Sequence, residues 1–173
     1  MAYLLDTNVF IEAKRRWYGF DFCPAYWDWL DEANATHKVF SIEKVADELV
    51  AGDDELVPWT RDRLGTLFLK PDNRVLASLS SISRWATRGI YEAAAGSVFL
   101  EAADSYLVAH AHAHGFTVVT HEKVASSPRL VKIPNACVEM GVKYVNTFEM
   151  LRAERARFVL EAGVTSSTSD GGI

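Results

Sequence analysis

Three short stretches of the sequence place an acid where burial is expected. YLLDTNVFIEA (residues 3–13) opens as an apolar strand and meets a carboxylate at Asp6. FLEAADSYLVAHAHAHG (99–115) carries Asp104 within an apolar helical stripe, and TVVTHEK (117–123) is a β-rich run that ends on Thr120, His121 and Glu122. A lone buried carboxylate is costly, so it must be paired, cap a helix, bind a cation or hold a proton. Asp6 precedes TNVFIEAKR and stands where it would cap that helix. Two carboxylates ~4 Å apart repel by roughly 4 kcal/mol at an effective dielectric of about 20, so a cluster of them persists only with protons or cations. A divalent ion is the economical answer.

The remaining candidates are less sharply marked. At ~100° per residue, Leu100, Ala103, Leu107 and Ala111 align, with Asp104 inside their stripe. Glu101 lies at its edge, either approaching Asp104 or serving as a solvated flank. In SIEKVADELV (41–50) the apolar face is Ile42, Val45, Ala46 and Leu49, which leaves Glu43, Asp47 and Glu48 as equivalent polar-face acids. His110 and His114 have a zinc-compatible spacing, but no Cys or third His stands at ligand spacing. They read as surface or helix-end side chains.

Elements that would position these groups follow from the pattern of the chain. Strand candidates at Tyr3–Asp6, Lys38–Phe40, Leu67–Leu69, Thr117–Thr120 and Lys143–Val145 alternate with helical segments, which predicts an α/β fold with a parallel sheet. Parallel neighbours would bring Asp6 and Glu122 to one sheet edge, where open α/β sheets gather ligands. Pro24 suits a first helical turn; Ser41 is expected to cap a helix through Val50, with Gly52 beyond its end. A helix from about Phe99 to His114 is closed by Gly115, and Thr147 is expected to cap a last helix to about Leu160. The chain of 173 residues, 49% hydrophobic and 24% charged, fits one domain over residues 1–162, with the small, polar tail from Gly163 predicted disordered. Cys23 and Cys137 show no paired framework, and no stretch approaches the ~20 apolar residues of a membrane span, so a cytoplasmic protein with free thiols is expected. A net charge of -5 argues against a globally basic nucleic-acid coat, while leaving room for a local basic patch or bound cations.

Taken in order, LLDTNVFI, SIEKVADEL, AADSYLVAHA and VVTHE resemble the four signatures of PIN domains, over about residues 3–152. The aromatic segment and the closing KIPNACVEMGVKYVNTFEML resemble a PIN-like subfamily of uncharacterised bacterial proteins. The resemblance implies a three-layer α/β/α fold with a five-stranded parallel sheet of order 3-2-1-4-5. It implies a metal-dependent ribonuclease, often a VapC-like toxin inhibited by a partner antitoxin. Carried over by position, it makes Asp6, Glu48 and Asp104 the main acids around Mg²⁺ or Mn²⁺. Glu122 stands where many members have a fourth acid, usually Asp, and Glu reaches one methylene farther, so direct and water-mediated metal binding both stay open for it. Thr120 matches a common Ser/Thr that orients the first acid or a metal-bound water, and Asn8 a frequent polar neighbour. Only the resemblance selects Glu48, and Asp47 stays open beside it.

The implied reaction is hydrolysis of RNA phosphodiesters to 5′-phosphate and 3′-hydroxyl ends, with magnesium held by a few carboxylates and phosphate oxygens. Lys14, Arg15 and Arg16 form the densest basic group and are the expected RNA contacts, with Arg61, Arg63, Lys123, Arg129 and Lys132 as further phosphate candidates. Seven aromatics lie within Trp17–Trp29; core packing is the first expectation, a homodimer or antitoxin interface the second and base stacking the third. An aspartyl-phosphate enzyme is disfavoured because the position two after Asp6 is Asn8 rather than a second acid. The other reading is a catalytically weak or inactive module that binds RNA or protein.

Overall fold

A computed structural model describes residues 1–159. Its centre is a five-stranded parallel sheet of order β3-β2-β1-β4-β5, flanked by helices in the three-layer arrangement expected. The strands are β1 (Tyr3–Leu5), β2 (Val39–Ile42), β3 (Phe68–Leu69), β4 (Thr117–Val119) and β5 (Tyr144–Val145). The helices are α1 (Thr7–Glu12, continued by a π-helical turn Ala13–Trp17), α2 (Pro24–Ala35), α3 (Glu43–Val50), α4 (Leu56–Arg61), α5 (Asn73–Ala86), α6 (Ala93–Glu101), α7 (Ala103–His114), α8 (Ile133–Met140) and α9 (Thr147–Ala153).

The short strands are apolar because helices cover the sheet. Leu4, Leu5, Val118 and Val119 are fully buried, as expected for central parallel strands. From β1 the chain builds outward through β2 to β3, then returns to add β4 on the other side of β1. The order reverses between β1 and β4, so the crevice beyond their carboxyl ends is the switch point where such sheets bind ligands.

Several helix boundaries differ from the sequence expectations. Ser41 does not cap α3: it is the third residue of β2, and its hydroxyl donates to the Leu5 carbonyl at 2.7 Å, tying β2 to the end of β1. The predicted helix from Phe99 is broken at Ala102, whose ψ of 165° is extended, so α7 starts afresh at Ala103 and Asp104 falls in its first turn. Leu100 therefore belongs to α6 and leaves the stripe of Ala103, Leu107 and Ala111. Gly115 ends α7 with φ 72°, a left-handed value that suits glycine. Asn146, not Thr147, caps α9: its side chain accepts from the Glu149 amide at 2.9 Å, while the Glu149 carboxylate accepts from the Asn146 amide at 2.8 Å. That helix ends at Ala153, short of Leu160. The expected tail, and the domain limit at residue 162, lie outside the described residues.

His110 is buried rather than on the surface, because α7 packs against α3, α5, α6 and α8 as well as β2 and β4. Burial pushes its imidazole down to about 4. The aromatic segment is mostly core. Trp27 is buried, stacks on Phe20 at 4.0 Å, meets Trp59 edge-on at 5.0 Å and donates Nε1–H to the Tyr18 carbonyl at 2.7 Å. Tyr26 is buried and stacks on Tyr18 at 4.3 Å. Among the described residues no helix is long and apolar enough to cross a membrane.

Candidate active site at the β1–β4 switch point

The sheet register builds the site. Leu5 pairs with Val119, so one residue further Asp6 stands against Thr120. Both remain pinned to neighbouring strands, the Asp6 amide donating to the Val119 carbonyl and the Thr120 amide to the Val145 carbonyl, each at 3.0 Å. Asp6 occupies the position that precedes α1, yet its side chain makes no capping bond there. Its Oδ2 instead accepts from the Thr120 hydroxyl at 3.0 Å, and the Thr120 oxygen accepts from the Glu122 amide at 3.1 Å. Helix capping therefore does not account for this acid.

Asp104 arrives from the first turn of α7, half-buried beside the same crevice. Its charge acts on Asp6. Asp6, only 3% exposed, is pushed up to about 7, first by burial and then by the negative charges of Asp104 and Glu122; the Thr120 hydroxyl and the Thr7 amide pull it down. Asp104 is pushed up to about 6 by burial, then by Glu122 and Glu48, with the Lys132 ammonium opposing. Four separated segments thus contribute acids to one electrostatic neighbourhood.

Glu48 is held by a residue the sequence reading missed. The Thr7 hydroxyl donates to Glu48 Oε2, joining the start of α1 to α3. Glu48 is itself exposed, and its charge, not that of Asp47, acts on Asp104. Glu122 bonds to the Lys132 ammonium and accepts from the Ile133 amide at 2.9 Å. Asn8 is exposed and its side chain makes no hydrogen bond among the described residues, and Glu101 is exposed at the end of α6. Neither Thr7 nor the placement of Lys132 carries a local sequence signal: a hydroxyl beside an acid is common, and Lys132 reaches Glu122 only through the fold of the intervening loop.

The cations divide sharply. Lys14 is occupied by Asp54 at 3.1 Å and Glu55 at 2.8 Å. Arg63 is structural, bonded to both Asp31 oxygens at 2.6 Å and lying over Trp59. Arg15 and Arg16 are exposed. Beside the crevice, Trp17 packs on His121 at 5.1 Å and Phe148 at 5.0 Å, while His121 Nε2 lies 3.0 Å from the Thr147 hydroxyl.

Among the described residues no three His, Cys, Asp or Glu side chains already close around a single ion. The donor chemistry still fits magnesium or manganese, which take hard oxygen ligands; magnesium typically uses one or two carboxylates and fills the rest of its shell with water and phosphate. The acids gathered here offer carboxylate oxygens, the donors that suit such hard ions rather than softer ones.

Residues 3–158 match the family model described as a domain of unknown function, DUF4411. The chain belongs to the DUF4411 family. No curated protein sequence matches the chain at a significant level. Among solved structures, this DUF4411 chain is similar to FitAcB from Neisseria gonorrhoeae, with 23% identity and a TM-score of 0.51 over 84% of this chain and 98% of that one. It is also similar to VapBC2 from Rickettsia felis, solved bound to a promoter DNA fragment, with 14% identity and a TM-score of 0.52 over the same shares. A structure of FitAB bound to the IR36 DNA fragment matches at 23% identity and a TM-score of 0.50, over 83% of this chain and 94% of that one. These neighbours are PIN domains, and the DUF4411 chain has their fold.

Proposed function

We propose that the protein is a Mg²⁺- or Mn²⁺-dependent endoribonuclease, acting in the cytoplasm as the toxin of a toxin–antitoxin pair. The observation that carries this reading is the crowding of acids at the switch point, where burial and neighbouring carboxylates raise both Asp6 and Asp104 well above an ordinary carboxylate, Asp6 through Asp104 and Glu122 and Asp104 through Glu122 and Glu48. Acids held together against repulsion and burial point to a cation as their working partner. The toxin role and the separate antitoxin are carried over from the PIN-domain neighbours.

Asp6, Asp104 and Glu48 are the side chains we assign to the ion. When bound, it acidifies a water, polarises the scissile phosphate and stabilises the leaving oxygen. The chain supplies position. Thr120 fixes one oxygen of Asp6, and the Thr7 hydroxyl holds Glu48, whose charge reaches Asp104. The exposed Arg15 and Arg16 offer phosphate contacts; Lys14, held by two acids, is the weaker member of that trio.

A second reading, an inactive RNA- or protein-binding module, draws support from Glu48 and Glu122, both already bonded within the chain. One assay separates the two. Purified wild type should cut single-stranded RNA with Mn²⁺ and not with excess chelator, and Asp104→Asn should be inactive while remaining folded. Wild type that binds RNA but never cuts it would leave the module.

A further inference from the structure

We propose that Glu122 is not a metal ligand but the holder of Lys132, and that Lys132 is the phosphate-binding cation of the site. This rests on the nuclease reading above and sharpens it. Both oxygens of Glu122 are committed within the chain, Oε1 to the Lys132 ammonium and Oε2 to the Ile133 amide. The two donors come from one turn, because Lys132 immediately precedes α8. Asn135 closes that turn onto the preceding loop: its Oδ1 accepts from the Ala125 amide at 3.1 Å, and its Nδ2 donates to the Ala125 carbonyl at 2.9 Å.

The pair is asymmetric. The Glu122 side chain is 13% exposed and that of Lys132 34%, so the acid is the more deeply set partner and the lysine keeps more of its side chain in solvent. Lys132 also lines a cleft of about 300 Å³ together with Asp104, Phe99 and Arg129. A phosphodiester entering beside Asp104 meets that ammonium. Lysine has three donors on a flexible stem, so Lys132 keeps one hydrogen bond to Glu122 while giving another to a phosphate oxygen. Arg129, by contrast, is exposed and paired with Glu92 at 3.0 Å.

Two measurements test this. Mn²⁺ binding by titration calorimetry compares wild type, Asp104→Asn and the charge-neutral double variant Glu122→Gln/Lys132→Met. The double variant should bind Mn²⁺ within about threefold of wild type, while Asp104→Asn loses tenfold or more. Anisotropy of a labelled single-stranded oligoribonucleotide across a KCl series, on the Asp6→Asn background, reads the phosphate contact. Lys132→Met should reduce the slope of log K against log salt by about 0.7, the value for one single-strand phosphate contact, and Lys132→Arg should restore it. A double variant as impaired in Mn²⁺ binding as Asp104→Asn, or a slope unchanged by Lys132→Met, overturns the assignment and leaves the nuclease reading standing. Wild type that binds no Mn²⁺ overturns the nuclease reading and this assignment with it.

Discussion

Replacing Asp6 by Asn should stabilise the metal-free protein while abolishing cleavage. Asp6 rises from an ordinary 3.8 to about 7, and the acid is 3% exposed, so solvent screening is slight. For an acid whose folded value is raised, the folded state binds more protons than the unfolded state between those two values. Stability therefore falls as pH rises from about 4 to about 7 and is flat above. The shift of roughly three units, at about 1.4 kcal/mol each, gives a penalty near 4 kcal/mol at pH 8. Asn keeps the shape and a partner for Thr120 but carries no charge. Allowing for an imperfect amide fit, a gain of about 2–4 kcal/mol is expected, or roughly 4–16 °C in Tm for a domain of this size. At pH 5 only about a third of the penalty has developed, so the difference should shrink accordingly. Thermal denaturation in chelator from pH 5 to pH 8 measures it. Saturating Mn²⁺ should then raise the wild-type Tm more than that of Asp6→Asn, by binding linkage. An advantage that does not grow with pH, or a variant less stable than wild type at pH 8, would refute the reasoning.

Other outcomes follow from the same geometry. Thr120→Val removes the hydroxyl that lowers Asp6, so the pH at which Mn²⁺-supported cleavage sets in should move upward; an unchanged pH–rate profile would deny Thr120 that role. Trp27→Ala should cost about 3–5 kcal/mol in thermal or urea denaturation, since it empties a buried site against Phe20 and Trp59. A loss under about 1 kcal/mol would return the aromatic segment to the surface roles. Arg15→Gln with Arg16→Gln should lower the salt slope of RNA binding by up to roughly 1.4, and no change would make them ordinary surface charges.

The fold was largely written in local pattern, because buried parallel strands are apolar runs and the acids that end them break those runs visibly. Asp6 and Asp104 stood out for that reason. Glu48 could not, since it is exposed on a polar helix face and is held at the site by Thr7, 41 residues away in sequence. The break at Ala102 was hidden because alanine carries no stop signal and apolar residues continue on both sides. Ser41 and Thr147 misled for a related reason: a hydroxyl at a strand-to-helix junction suits either a cap or a cross-link, and tertiary partners decided. Ser41 bonds to β1, and Thr147 to His121, while Asn146 next to it takes the cap. Lys132 was visible as a charge but not as a neighbour of Asp104, because the loop from His121 to Lys132 has no periodicity to reveal where it closes.

The central claim is that Asp6 and Asp104 share a divalent ion. Anomalous diffraction at the manganese edge from Mn²⁺-soaked crystals tests it most directly. The account predicts a peak at roughly 2.0–2.3 Å from a carboxylate oxygen of each residue; a fully loaded crystal with its manganese elsewhere, or touching neither acid, would contradict it.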